Sequence, residues 1–377
     1  MILESQRHLF NIPDDVAYFN TSYLSPQLHS VRAAGEAALQ QVATPWTVTP
    51  GDFFTRSEQV RGLFGGLIGA PPDGIAIVPA VSYANAIAAN NLEVAPGQTI
   101  LVLDEQFPSN VYPWWDKARR SNADFIVVPR PADHDWTSTI LEHIDERLAI
   151  AALPNCHWTD GGLVDLVAVG KMVREAGAAL VVDASQSLGA LPLDVGDVQP
   201  DFLCTVGYKW MLGPYSYSYL YVGPGHRGGE PIEQGWITRK GSEDFTRLVD
   251  YETELEAGAT RFDVGERSNF ILTPMAEAAL TQIGDWGMEN IAATIARSTA
   301  EIERRMISLG LEPIPAGRRG PHMTGVYFPN GVPVDLGDRL RAAGVYASIR
   351  GDSLRLAPHL FTTEADLDRL SEVVAAG

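Results

Sequence analysis

Asp183 closes a short apolar run in ALVVDASQSLGAL, with Gln186 just beyond it. Lys209 sits in the turn after a second such run, FLCTVGYKWMLGP. In an open α/β sheet, ligands gather outside the carboxyl ends of the strands, so both side chains are expected at one crevice. A lysine near a loop is ordinarily a solvated surface cation. Lys209 is flanked by Tyr208, Trp210 and Met211, which would withdraw it from water. Desolvation lowers an ammonium pKa and leaves an amine free for Schiff-base chemistry. A carboxylate facing that amine across one ring would keep a pyridine nitrogen protonated. Pyridoxal 5'-phosphate (PLP) needs both groups: a lysine for its aldehyde and an acid that makes its ring an electron sink.

The elements that must position this pair follow from the pattern of the chain. Short runs rich in Val, Ile, Leu or Tyr occur at Ile75–Val78, Ile100–Leu103, Phe125–Val128, Leu148–Leu153, Ala179–Val182, Phe202–Val206 and Tyr217–Val222. Each is bounded by polar or turn residues, the signature of buried strands. Helical patterns such as Tyr83–Leu92 and Leu163–Ala176 lie between them. The alternation predicts a mostly parallel seven-stranded sheet with helices on both faces. Only Gly207–Ser216 separates the last two runs, too little for a crossover helix, so those strands are expected to pair antiparallel. A Gly/Pro-rich segment, GPGHRGGEPIEQG, follows Val222. A long helix is then expected from Pro274 to Leu309, interrupted near Trp286–Gly287. The division read from this is a large α/β domain over 16–250. A smaller C-terminal α+β domain spans 251–377, joined by an N-terminal arm, 1–15.

Composition removes other classes. The chain of 377 residues carries 28 Lys+Arg against 47 Asp+Glu, a formal charge of -19. That lacks the basic footprint of a nucleic-acid binder and would be repelled by an anionic membrane surface. No apolar stretch is long enough to span a bilayer, and the N-terminus shows no signal-peptide pattern, so a cytoplasmic location is expected. Two cysteines, Cys156 and Cys204, make neither a disulfide framework nor a four-thiolate metal site. The histidines form no HxH or HxxxH pair, and no metal is expected. VRGLFGGLIGA has the wrong glycine spacing and no preceding strand for a dinucleotide loop, and Gly170-Lys171 lacks the phosphate-loop pattern.

The pairing of DASQ with GYKWMLGP, on this strand order, resembles the class V aminotransferase superfamily of fold-type I PLP enzymes. The likeness runs from about Phe19 to Phe361 and looks nearest to the kynureninase and isopenicillin N epimerase branches. It implies roles for further residues. Val81 and Ser82, opening a helix in PAVSYAN, would hold the cofactor phosphate at a helix N-terminus; the plain alternative for Ser82 is a helix cap. Phe107 in EQFPSNVYPW would stack on the ring, although Asn110 stands where the kynureninase branch has an acid. Asn155, His157, Trp158 and Thr159 in LPNCHWTDGG would border the substrate, with His157 a candidate proton shuttle. Gln186 would lie near the phenolic oxygen, and Tyr208 near the phosphate. Trp236 and Asn269 would reach the phosphate or substrate, partly across a dimer interface. Arg355 in SLRLAPHLF would grip the substrate α-carboxylate bidentately, and Asn20 joins it as a substrate-binding candidate.

The resemblance therefore implies a homodimer with shared active sites that acts on an amino acid through Lys209. An aminotransferase is the first expectation. The alternatives are a kynureninase-like C–C hydrolase, a C–S or β-lyase or an epimerase, and, more remotely, a non-catalytic binding protein. No Cys follows Cys204, whereas the family's cysteine desulfurases carry a nucleophilic Cys in the C-terminal third. Persulfide-forming chemistry is not expected.

Overall fold

The chain, seen in a computed structural model that describes residues 1–376, enters through a two-residue strand, β1 (Ala17–Tyr18), and two helices, α1 (His29–Val42) and α2 (Thr55–Leu67). It then alternates β2 (Ile75–Val78), α3 (Val81–Asn91), β3 (Thr99–Leu103), α4 (Tyr112–Ser121), β4 (Asp124–Val128), α5 (Trp136–Glu142), β5 (Leu148–Pro154), α6 (Leu166–Glu175) and β6 (Ala179–Asp183). After α7 (Val195–Val198) come β7 (Phe202–Val206) and β8 (Ser218–Val222). All seven expected runs are strands, within a residue or so at their ends.

These strands form one sheet in the order β2-β8-β7-β6-β5-β3-β4. β8 runs antiparallel to both of its neighbours, and the remaining pairs are parallel. Because β2 opposes β8, it points the same way as β3 to β7. The carboxyl ends of β2, β3, β5, β6 and β7 therefore open on one edge, where a ligand site is expected. Both sheet faces are buried. Ile75, Ile77, Leu153 and Val182 pack beneath Phe64, Val169 and Ala279, while Ala76, Val78, Ile150 and Val181 pack beneath Ala84, Ile87 and Trp114. Continuous apolar strands, rather than alternating ones, are what two covered faces require.

Helix boundaries have local causes. The carboxylates of Asp135 and Asp165 accept from first-turn N–H groups of α5 and α6. The expected long C-terminal helix is two helices, α8 (Leu272–Trp286) and α9 (Met288–Ser308). Gly287 between them has φ +77°, a left-handed conformation that favours glycine.

The remaining elements are β9 (Glu312–Pro313), β10 (Thr324–Tyr327), α10 (Leu336–Ala342), β11 (Val345–Tyr346), β12 (Ser348–Arg350), β13 (Ser353–Leu356) and α11 (Glu364–Ala375). They build an antiparallel sheet, β12-β13-β10-β9, while β1 pairs with β11. Its core joins Ala17 and Phe19 from the N-terminal segment to Ile302, Met306, Val326, Leu340 and Leu356. Residues of α8 and the first half of α9, such as Ala279, Ile283 and Ile295, pack instead in the core of the large sheet. One long helix thus ties the two cores together.

A buried charge cluster fastens the outer strand β2. The Asp263 carboxylate, fully enclosed, accepts from Arg61 at 2.8 Å, from Arg267 at 2.6 Å and from the Ile77 N–H at 2.7 Å. Removing one member leaves buried charge without compensation, which costs about 3–5 kcal/mol. Asp263→Asn is expected to lower the thermal midpoint by that order of destabilisation, and an unchanged midpoint would contradict this account.

Candidate active site

Asp183 is the last residue of β6, in register with Pro154 of β5. The turn that follows it docks directly on the turn carrying Lys209. Gly189 has φ +100°, and a Cβ there would lie 2.1 Å from the Trp210 carbonyl oxygen. Only glycine permits that approach. Trp210 is fully buried and its indole N–H donates to Gln186 Oε1 at 3.1 Å. Gln186 Nε2 in turn donates to the Ser22 carbonyl at 3.0 Å, and the Ser25 N–H to the Tyr208 carbonyl at 3.0 Å. The N-terminal segment is thereby laid across the crevice. Beneath, His322 and His359 flank the Trp210 ring at 4.6 and 6.0 Å. Burial pushes their pKa values down to about 4 and about 3, so this platform is neutral.

The crevice holds two connected cavities. The inner one, a narrow space of about 30 Å³, is walled by Val81, Phe107, Asp183, Ser185, Gln186 and Lys209 among others. The outer one, about 340 Å³, shares Phe107, Trp158, Gln186, Tyr208 and Lys209 and adds Tyr23, Tyr215, Arg350 and Arg355. The outer volume is in the range of small-molecule sites. The Lys209 ammonium lies 5.5 Å from the Phe107 ring centroid and 6.0 Å from that of Tyr208. Burial lowers its pKa to about 8, with Arg355 and Arg350 adding to the effect and Asp183 opposing it. Burial raises the Asp183 pKa, while the Ser185 hydroxyl, the Ser185 N–H donating at 2.9 Å, and Lys209 hold it down. Arg355 is also buried, and burial with the nearby Arg350 lowers its pKa to about 9. Its Nη1 donates to the Trp158 carbonyl at 2.6 Å and its Nη2 approaches Asn20 Oδ1 at 3.5 Å, while Nε has no partner.

Lys209, Asp183, Val81, Phe107, Gln186, Tyr208, Trp158 and Arg355 thus converge on one crevice. Asn20 stands behind Arg355 and orients it rather than lining the cavity. Ser82 is exposed in the first turn of α3, whose cap residue is Ala80, so its hydroxyl is not used as the helix cap. The structure places other candidates elsewhere. His157 is buried behind the Trp158 wall, stacked on Trp136 at 5.1 Å. Both its ring nitrogens are occupied, by Thr159 Oγ1 at 2.7 Å and the Asp104 carbonyl at 3.0 Å. A shuttle needs a free nitrogen at the cavity, and this ring offers none. Asn155 and Thr159 likewise serve the loop, through Val164 and His157. Asn110 accepts from the Trp114 indole at 3.1 Å. Trp236 packs against Phe53, Phe54 and Phe245, and Asn269 caps α8 through the Ile271 and Leu272 N–H groups. Within one chain neither reaches the Lys209 crevice. Reading the sequence missed Ser185, Tyr23, Tyr215 and Arg350. Only Arg350 left a trace, in the spacing of SIRGDSLRL, where a Gly-Asp turn sets two arginines on adjoining strands.

The sequence matches the family described as Aminotransferase class-V over residues 48–357. The chain belongs to the class V aminotransferase family. This is a family of PLP-dependent enzymes, and the fold and the cofactor expected from DASQ and GYKW stand. An uncharacterized aminotransferase, YcbU, of Bacillus subtilis is 26% identical over 325 residues, covering 85% of this chain and 84% of the relative. A kynureninase of Burkholderia mallei is 26% identical over 61% of this chain and 57% of its own length. Among solved structures, an apo cysteine desulfurase from Thermococcus onnurineus superposes with a TM-score of 0.86 at 17% identity, covering 100% of this chain and 99% of that one. A lysine-to-alanine mutant of C-DES, with glycine covalently linked to its PLP, gives 0.87 at 19% identity, covering 98% of this chain and 99% of that one.

The side chains present fit PLP. Asp183 is a buried carboxylate on the cavity wall, raised in pKa by burial, and a cationic ring nitrogen would compensate it. The Ser185 hydroxyl lines the same space beside the Asp183 carboxylate. The Lys209 amine opens on the same space. Because the amine must be neutral to add to an aldehyde, the rate at which cofactor-free protein takes up PLP should climb with pH through about 8 and then level off; a climb continuing to the ordinary lysine range would refute the lowered pKa. Gly189→Ala should weaken PLP binding by more than about tenfold by displacing the Trp210 peptide, while Gly66→Ala on the exposed face of α2 should leave PLP titrations unchanged.

Proposed function

We propose that the chain is an amino-acid aminotransferase in which Lys209 holds PLP. The observation that carries this reading is the convergence of a desolvated amine, a buried carboxylate and a buried guanidinium on one crevice. When bound, PLP supplies an aldehyde for amines and a protonated ring that accepts electrons. Asp183 would hold the proton on the ring nitrogen. Phe107 would cover the ring, Gln186 would serve its phenolic oxygen, and Val81, Ser82 and Tyr208 would hold the phosphate. Arg355 pairs with the substrate α-carboxylate through its free edge, fixed from behind by the Trp158 carbonyl and Asn20. That anchor leaves the substrate Cα within reach of Lys209, which takes its proton. In this reading the enzyme is a homodimer, with Trp236 and Asn269 reaching toward the partner's phosphate region. The similarity of YcbU, itself called an aminotransferase, supports the reading.

Persulfide-forming desulfuration is disfavoured by the cysteines. Cys156 touches the inner cavity, but burial pushes its thiol pKa well up, and Cys204 is raised in the same way. A nucleophilic thiolate needs the opposite shift.

A panel of amino acids mixed with the holoenzyme tests the proposal through cofactor absorbance. A transaminase converts its cofactor once with the amino donor and stops until a keto acid is added. Sustained turnover without a keto acid would instead assign hydrolysis, lysis or epimerisation. Lys209→Ala should lose both turnover and the visible cofactor band, and full activity in that variant would sink either reading.

A further inference from the structure

Two arginines face the outer cavity, and one amino-acid α-carboxylate uses only one of them. Ser348 of β12 pairs with Arg355 of β13, and Arg350 pairs with Ser353. Arg350 and Arg355 are therefore diagonal neighbours on one face of a hairpin, with backbones about 7–8 Å apart. Both line the outer cavity with Lys209, and no Asp or Glu lies among its lining residues. In a chain of charge -19, most arginines are paired with carboxylates, Arg7, Arg61, Arg130, Arg305 and Arg319 among them. Neither Arg350 nor Arg355 makes an ion pair among the described residues. Arg350 donates to its neighbour's carbonyl, Ile349, at 3.0 Å, its Nε is buried without a partner, and its guanidinium lies 5.7 Å from the Trp158 ring centroid. Asp352, at the hairpin turn, does not reach it as an ion-pair partner. Burial, with the like charge of Arg350 beside it, lowers the Arg355 pKa, and with no carboxylate among the lining residues the cavity wall carries an uncompensated cationic pair. Once Lys209 is committed to the cofactor, that pair remains to be neutralised by whatever enters. Tyr23, Tyr208 and Tyr215 line the same cavity, flat and partly apolar, suited to a short methylene chain.

We infer that Arg350 is a specificity residue that binds a second carboxylate, and that the substrate is a dicarboxylic amino acid. The inference rests on Lys209 and Arg355 forming an amino-acid site as proposed above. Arg355 takes the α-carboxylate, since it is the one held rigidly by Trp158 and Asn20. Arg350, nearer the turn and stacked on the Trp158 face, takes the distal carboxylate and keeps its donor fork open to it.

The test compares acids with their neutral isosteres, aspartate with asparagine and glutamate with glutamine, in the wild-type holoenzyme and in Arg350→Gln and Arg350→Lys. At least one acid should exceed its amide by about tenfold or more in kcat/KM. Arg350→Gln should lower kcat/KM for that acid by about 10- to 100-fold, mainly through KM, and change the amide much less, by under about threefold. Arg350→Lys should recover part of the loss. Calorimetric titration with glutarate or succinate gives a readout that needs no turnover: binding should weaken at least about tenfold in Arg350→Gln, while acetate is unaffected. Equal reactivity of acids and amides in the wild type, or equal losses for both in Arg350→Gln, would overturn the inference. If no amino acid perturbs the cofactor at all, the amino-acid reading itself fails. Dicarboxylate binding would then still report on Arg350 separately.

Discussion

Two opposite charges, desolvated at one cavity without forming an ion pair, are the constraint on which this structure turns. Were Lys209 and Asp183 in contact, each would quench the other, the amine fully charged and the carboxylate satisfied. Separated across the inner cavity, each relieves the other's desolvation only in part: the amine drifts toward neutrality and the acid toward protonation. A cofactor with an aldehyde at one end and a basic ring nitrogen at the other relieves both at once. The sheet holds them apart. Parallel strands bring both to one edge, and the glycine at 189 sets the contact between their turns.

Much of the scaffold was legible because two covered faces force continuous apolar strands, and strand length separates them from the helices between. The antiparallel pairing of β7 and β8 followed from the shortness of the loop that carries Lys209. The division of the C-terminal part was less legible. No local signal shows that α8 packs on the large sheet while the end of α9 serves the small one, since both helices are amphipathic; only the three-dimensional partners differ. The place of Ala17 and Phe19 in the small core is a long-range pairing of the same kind, hidden from periodicity.

The candidate site divides along similar lines. Residues fixed by strand ends and turns, Asp183, Phe107, Tyr208 and Lys209, lie at the edge where the strand order sends them. His157 shows the opposite case. Its neighbour Trp158 lines the crevice, while His157, at the start of a turn closed by the Gly161 N–H donating to its carbonyl at 2.8 Å, is directed into the network of Arg130, Thr159 and Asp160. Residue type suggested a proton carrier, and direction overruled it. Ser185, two residues beyond the acid, carries no sequence mark that separates it from any other turn serine.

Arg355, the proposed carboxylate clamp, belongs to the small sheet, and the amine to the large one. The Trp158 carbonyl links them by accepting from Arg355 at 2.6 Å, beside the Gly325 N–H donating to the Asp160 carbonyl at 2.7 Å. Because Trp158 is itself anchored through its indole N–H to the Glu105 carbonyl at 2.6 Å, the guanidinium is referenced to the loop that carries Phe107. Clamp, ring cover and amine thus share one frame, although they come from distant parts of the chain. An arginine held so rigidly would lose little further freedom on meeting the carboxylate proposed for it, and protein packing would then set the geometry at the neighbouring Cα. Arg350 shares that frame more loosely, through the Ile349 carbonyl at 3.0 Å and the Trp158 ring at 5.7 Å.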